Sequence, residues 1–376
     1  MIRRFNVNHQ IVMLRLVRLL VKKQNYKTIC FIFSIILMSL VLLHNLEVKL
    51  LKSRKAFSLI EHHEVPTTLP STSSTSTTSI ETNESDEDDM FADVRRRMRD
   101  RRQHMKAACH RLGLDKRGHD SLHNINPWEY FINHKHNLVW CSVFKSASTS
   151  WMYIMNVLAG YSPDYLDSAH KVPLNMARAK YPRPKPDKLR EVLRRENVTS
   201  MIIGRHPLER LVSAYREKIV GARPGTLHDK LRRRITRDFR HVTMPRVKRL
   251  PENLIPTFTE FVQFLIRENE KEKTPEMHWA PVYSFCNPCQ VNLNTILKLE
   301  TLEEDTQYVL NRINAPEILT NVEQKNKSKG GSSHDAARKY LDELDQESFE
   351  ELVNIYKNDF LIFGYDIPKY SENKNQ

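Results

Sequence analysis

The sequence predicts an α/β domain with a mainly parallel sheet, carried behind one membrane-spanning helix and an extended stalk. Three observations support this. Two separate segments run in the order apolar strand, short polar turn, amphipathic helix. A long apolar stretch near the N-terminus is preceded by basic residues. A Ser/Thr/Pro tract then separates that stretch from the globular part.

At 376 residues the chain has room for one to three domains. Its 40% hydrophobic and 28% charged content suits a chain with a large core. Only 9 glycines exclude collagen-like polymers, and 5 cysteines are too few for a disulfide scaffold. Lys and Arg total 59 against 45 Asp and Glu, a net charge of +14. That excess points to a polyanionic partner.

The N-terminal tail, 1–27, carries Arg3, Arg4, Arg15, Arg18, Lys22, Lys23 and Lys27 and no acid. The apolar run from Ile29 to Leu43, counted as a signal-anchor over 28–46, is long enough for a bilayer core, which needs roughly 17–25 residues. The basic flank before it leaves the N-terminus in the cytosol and sends the rest into the lumen. A cleaved signal peptide fits poorly, because no small-residue cleavage site follows. The tract Pro66 to Ser79 is nearly all Ser, Thr and Pro, the composition of an O-glycosylated stalk. Glu81 to Asp93 is acidic, and Arg95 to Lys106 is basic with helical character. The stalk is set at 47–108 and the folded lumenal domain at 109–370.

Asn83, Asn197 and Asn326 each begin an Asn-x-Ser/Thr glycosylation acceptor triplet. Cys109, Cys141, Cys286 and Cys289 fall in the lumenal part, where four cysteines allow three complete pairings. Cys286 and Cys289 form a single C-x-x-C pair, whereas a structural zinc site needs four ligands, so no metal is expected.

The first unit begins with the apolar run Leu138 to Phe144. It ends at Lys145-Ser146-Ala147-Ser148-Thr149-Ser150, after which Trp151, Ile154, Met155 and Leu158 recur at helical spacing. Small residues let the backbone approach a ligand, a helix N-terminus favours an anion, and Lys145 adds a positive charge. The glycines of a Walker loop are missing. In the second unit, Ser200 to Gly204 is the strand, Arg205-His206-Pro207 the turn, and Leu208 to Ile219 the helix. Arg205 at the strand end suits bidentate phosphate binding. Together the units suggest one ligand with two separate phosphate groups.

The chain resembles the Golgi carbohydrate sulfotransferases of the chondroitin 4-O-sulfotransferase, dermatan and HNK-1 group. Phe144-Lys145-Ser146-Ala147-Ser148-Thr149-Ser150 is similar to the family's 5′-phosphosulfate loop. Arg205-His206-Pro207-Leu208-Glu209-Arg210-Leu211-Val212-Ser213 is similar to its 3′-phosphate segment. Further likeness lies in His278-Trp279-Ala280-Pro281, Cys286-Asn287-Pro288-Cys289, Lys298-Leu299-Glu300 and Phe363-Gly364-Tyr365. The resemblance implies a three-layer, P-loop-like sulfotransferase domain, the donor 3′-phosphoadenylyl sulfate, and a single-pass type II Golgi membrane protein with its catalytic domain in the lumen. It implies an acidic glycosaminoglycan or glycoprotein glycan as acceptor, with O4 of N-acetylgalactosamine in chondroitin or dermatan as the expected position. The first loop departs from the group at Phe144, Ser148, Ser150, Met152 and Tyr153, and its Ser148-Thr149-Ser150 run resembles the uronosyl and heparan sulfotransferases. A uronosyl or heparan-type enzyme, and a catalytically silent glycan-binding membrane protein, are therefore the alternatives.

In the resemblance, Lys145 stabilises the leaving phosphate and Ser148, Thr149 and Ser150 cradle the 5′-phosphate. Arg205 and Ser213 hold the 3′-phosphate. His170 is the preferred base for the acceptor hydroxyl, since a neutral imidazole takes a proton near physiological pH, and His278 is the second candidate.

Between Arg223 and Arg249 lies a basic stretch, expected as a rim that attracts an acidic glycan. Pro245, Pro251 and Pro256 make it more loop than long helix. No nucleic-acid motif is present. Glu260 to Arg267, Leu302 to Ile313 and Asp335 to Lys357 read as later helices.

Overall fold

The computed structural model describes residues 91–169, 171–243, 254–318 and 333–370. The expected anchor at 28–46, most of the stalk, Asn83, His170 and Asn326 lie outside these residues. Among the described residues no helix is long and apolar enough to cross a membrane.

The elements follow in order: helix α1 (Ala92–Arg111), strands β1 (Tyr130–Asn133) and β2 (Leu138–Cys141), then helices α2 (Ser148–Leu158), α3 (Pro163–Ser168), α4 (Pro173–Lys180) and α5 (Pro186–Leu193). Strand β3 (Thr199–Gly204) leads to α6 (Pro207–Ala214), a π-turn (Tyr215–Val220), α7 (Leu227–Thr243), α8 (Phe258–Glu270) and the short α9 (Val282–Phe285). Strand β4 (Thr295–Lys298), α10 (Leu302–Arg312), α11 (Ser333–Leu341) and α12 (Gln346–Phe363) complete the chain.

The sheet runs β1-β2-β3-β4. β1 is antiparallel to β2, and β2, β3 and β4 are mutually parallel. The mainly parallel α/β expectation therefore holds. All residues of β1, β2 and β3 are buried, as a sheet covered on both faces requires. Alternate side chains feed two separate packed layers. Phe131, Leu138, Trp140, Met201, Ile203 and Leu297 meet Trp151, Ile154 and Met155 of α2 and Val309 and Leu310 of α10. Tyr130, Ile132, Val139, Ile202 and Ile296 meet Leu189 and Val192 of α5, Met105 and Ala108 of α1, and Ile362 and Phe363 of α12. A third cluster joins α6, α7, α8, α11 and α12 around Tyr215, Phe258, Phe261 and Phe360.

Four differences from the sequence expectation have local causes. The folded unit begins well before residue 109, because α1 packs into it through Met98 and Met105 and through Arg97 and Arg101. Both arginines hydrogen-bond to fully buried Asp305, each at 2.7 Å. The stretch expected to be mostly loop holds the 17-residue helix α7, since Pro245, Pro251 and Pro256 all lie beyond its last residue. Its charges are largely spent internally: Arg232 and Arg233 pair with Asp229, Arg234 with Glu268, and Arg240 with Glu260. The helix expected from Leu208 to Ile219 changes at Tyr215 into a π-turn, a widening that apolar spacing does not reveal. Finally, the helix expected from Asp335 to Lys357 is two, because Asp345 caps a new one, accepting from the Ser348 N–H at 2.8 Å.

Two disulfides, Cys109–Cys289 and Cys141–Cys286, join α1 and the end of β2 to the loop after α9. They resolve the three pairings that sequence left open.

Candidate functional site

Parallel pairing of Cys141 with Ile202, and of Gly204 with Lys298, places the C-terminal ends of β2, β3 and β4 side by side. The loops that follow therefore open on one edge, where ligands of open α/β sheets bind. Gly204 is needed there: a Cβ would lie 2.7 Å from Phe363 Cδ1.

After β2 the backbone takes the left-handed conformation at Lys145 (φ 67°) and Ala147 (φ 53°), a rare geometry for residues with a Cβ and one that clusters at functional sites. Ala147 is the N-cap of α2, and no side chain caps that end. Its first N–H groups, which have no partner within a helix, are left for an anion. Ser146 is buried, and its Oγ has no partner among the described residues. Ser148 and Ser150 are half-buried and Thr149 is exposed. An uncapped helix start, a buried hydroxyl without a partner and an adjacent lysine form a donor set suited to a phosphate group.

Lys145 Nζ forms an ion pair with Glu217 of the π-turn. Burial alone would raise the Glu217 carboxyl, but the hydrogen bonds from Lys145 and Lys218 hold it at about 2. The π-turn thus places an acid that a regular helix would project elsewhere.

Arg205 donates from Nη1 to the Lys145 carbonyl oxygen at 2.8 Å, and Glu209 stands 4.0 Å from its Nε. Burial lowers the Arg205 pKa, and Glu209 opposes that shift. His206 packs edge-on against Phe360 and Tyr365, its Nδ1 is buried without a partner among the described residues, and burial lowers its pKa. Tyr365 donates to Glu300 at 3.0 Å, so the stretches 298–300 and 363–365 converge on the same edge. Ser213 is half-buried.

The rest of the segment serves the interior. Pro207, Leu208, Leu211 and Val212 are buried in α6, the last three within the helical cluster. Arg210, 1% exposed, donates to the carbonyl oxygens of Ala280 at 2.6 Å and His278 at 3.3 Å. It clamps the chain at 278–280, whereas the sequence resemblance places it with the donor contacts.

The second candidate base lies close by. The His278 ring sits 4.6 Å from the Phe144 ring, and its Nδ1 is 2.7 Å from Glu276 Oε1. His228, Glu276 and His278 bring their ligand atoms within 4.8 Å of one another, a set that could hold a cation. Sequence reading missed this group, because His228 lies 48 positions from Glu276. Asn197 is exposed on the turn before β3, as a glycosylation acceptor must be.

Residues 128–366 match the sulfotransferase family. The chain is 30% identical over 243 residues to carbohydrate sulfotransferase 11 of Rattus norvegicus, covering 64% of this chain and 67% of the relative. It is 25% identical over 324 residues to carbohydrate sulfotransferase 8 of Homo sapiens, covering 85% and 74%. It is 30% identical over 239 residues to carbohydrate sulfotransferase 14 of Danio rerio, covering 63% and 62%. No solved structure matches it significantly. With the turns at Lys145 and Arg205 both inside the matched residues, the chain belongs to the sulfotransferase family, among its carbohydrate sulfotransferases.

Proposed function

We propose that this protein transfers sulfate from 3′-phosphoadenylyl sulfate to O4 of N-acetylgalactosamine in chondroitin or dermatan, as a single-pass type II Golgi membrane enzyme. The observation that carries the donor reading is the pairing of the Lys145 loop with Arg205 at one sheet edge. Two anion-suited segments, joined directly, match a ligand with two phosphate groups. The apolar stretch 28–46 behind its basic flank supports the topology, and two disulfides suit an oxidising compartment.

The donor supplies a sulfuryl group whose leaving group is a phosphate. Lys145 would stabilise charge on that phosphate, and the α2 N-terminus with Ser146, Ser148, Thr149 and Ser150 would hold it. Arg205, His206 and Ser213 would orient the second phosphate. His170 would take the proton as the acceptor oxygen bonds to sulfur, with His278 the second candidate. The Ser148-Thr149-Ser150 run favours one alternative, a uronosyl or heparan-type acceptor.

The test is labelled-sulfate transfer by the full-length chain to chondroitin, dermatan and heparan. Label at galactosamine O4 is expected. Label confined to heparan would overturn the acceptor assignment, and glycan binding without transfer to any of them would leave a silent binding protein.

A further inference from the structure

A cavity of about 790 Å³ lies at the opposite end of the sheet from Lys145. Val198 and Asn294 in its lining immediately precede β3 and β4, whereas Lys145 and Arg205 follow the ends of β2 and β3. The two places are therefore separated by at least the length of β3, roughly 17 Å.

Six arginines line this cavity: Arg102 from α1, Arg117 from the following loop, Arg190, Arg194 and Arg195 at α5, and Arg312 from the end of α10. Glu196 is the one acid in the lining among the described residues. Some of the six are held by neighbours. Arg190 pairs with Asp187, Arg195 with Glu191, and Arg312 donates to Thr199 and Tyr308. Arg117 and Arg194 are exposed, and their side chains have no hydrogen bond or ion pair among the described residues. Arg102 Nε is shut off from solvent with no partner among the described residues. With Glu196 in the lining and Asp187 and Glu191 beside it, the six guanidinium groups keep an excess of positive charge, which favours an anion. Asn124 and Asn292 each give their oxygen to an arginine, which leaves their amide nitrogens to donate. No Phe, Tyr or Trp lines the cavity, so it offers no platform for stacked bases. Guanidinium forks suit sulfate and carboxylate groups, and amides suit hydroxyls.

We propose that this arginine cleft is a second, non-catalytic site that binds the sulfate and carboxylate groups of an anionic glycan chain. It anchors a long chain while a distant sugar of the same chain reaches the Lys145 edge. The acceptor role of that chain rests on the function proposed above; the binding itself does not.

The test compares the full-length protein with Arg117→Ala/Arg194→Ala. Direct binding of long chondroitin sulfate chains is measured over a salt series, beside binding of adenosine 3′,5′-bisphosphate and transfer to a chondroitin tetrasaccharide. The double variant is expected to bind long chains about tenfold more weakly, with a salt slope shallower by roughly 1–2. Nucleotide binding and tetrasaccharide transfer should stay within about twofold of the parent, since neither reaches the cleft across β3. Unchanged affinity for long chains would overturn the proposal. So would an equal loss for the tetrasaccharide, or a parent that binds polyglutamate of matched charge as tightly as the glycan. Failure to transfer sulfate to any glycan would sink the functional reading alone, because chain binding is read without turnover.

Discussion

The Arg205 guanidinium donates a 2.8 Å hydrogen bond to the carbonyl oxygen of Lys145. Through it, the turn after β3 braces the turn after β2 at a residue whose φ of 67° is costly to maintain. Lys145 is thereby fixed from two sides, by Arg205 at its backbone and by Glu217 at its ammonium. A bond of this kind places two phosphate-suited segments at a set separation, which a ligand with two phosphates requires.

Replacing Lys145 should separate chemistry from stability. Its ion-pair partner Glu217 is 53% exposed, and exposed pairs contribute little, so Lys145→Ala should change unfolding free energy by less than about 1 kcal/mol. Sulfate transfer should fall by about 10²–10³-fold, the usual cost of losing one group that stabilises developing charge. Labelled transfer and thermal unfolding measure the two effects, and transfer near the parent rate would remove Lys145 from the chemistry.

Arg210 should show the reverse pattern. It is buried and satisfies two carbonyl oxygens at His278 and Ala280, and removing one partner of a buried charged hydrogen bond costs about 2–4 kcal/mol. Arg210→Met is expected to lower the thermal midpoint while the folded protein keeps its affinity for adenosine 3′,5′-bisphosphate. A large loss of nucleotide affinity with unchanged stability would return Arg210 to the donor contacts.

What the sequence made legible depended on distance along the chain. Leu138 to Cys141 and Thr199 to Gly204 stand out as apolar runs that stop at polar turns, and the edge that holds Lys145 and Arg205 follows from them. β1 (Tyr130–Asn133) and β4 (Thr295–Lys298) each contain a polar residue and only two or three apolar residues in succession, too few to stand out as an apolar run. The place of α1 in the domain depends on Asp305, 208 positions from Arg97, and no local pattern signals that pair. The sequence expects the charge that meets a glycan in the basic stretch Arg223 to Arg249, but within its helix α7 much of that charge is absorbed by Asp229 and by Glu260 of α8. Arg117 and Arg194 carry guanidinium groups with no such partner among the described residues, and only the fold brings them together.

The disulfides offer a test of the fold itself. Cys141 and Cys286 are 145 positions apart, and a cross-link over such a loop stabilises by about 5 kcal/mol in the chain-entropy account. Cys141→Ser/Cys286→Ser should therefore fold poorly at physiological temperature. Peptide mapping without reduction should recover Cys109 with Cys289 and Cys141 with Cys286, and any other pairing would contradict the placement of α1 beside the loop after α9.

The Lys145–Glu217 pair makes a prediction about pH. The folded-state pKa of Glu217 is lowered from 4.5 to about 2. A carboxyl shifted down contributes stability that is present above its unfolded value and is lost as pH falls through the folded one. The pair is therefore intact at every pH above about 4.5, and a decline in rate between neutral and mildly acidic pH must come from another group, for which an imidazole is the natural source. Glu217→Gln should leave that acidic limb where it is in the parent. It should also tighten binding of adenosine 3′,5′-bisphosphate, because the substitution removes a negative charge beside Lys145 and leaves the ammonium to the phosphate. Titration calorimetry and a pH–rate series on the same variant measure both, and an acidic limb that moves with Glu217→Gln would assign that titration to the pair after all.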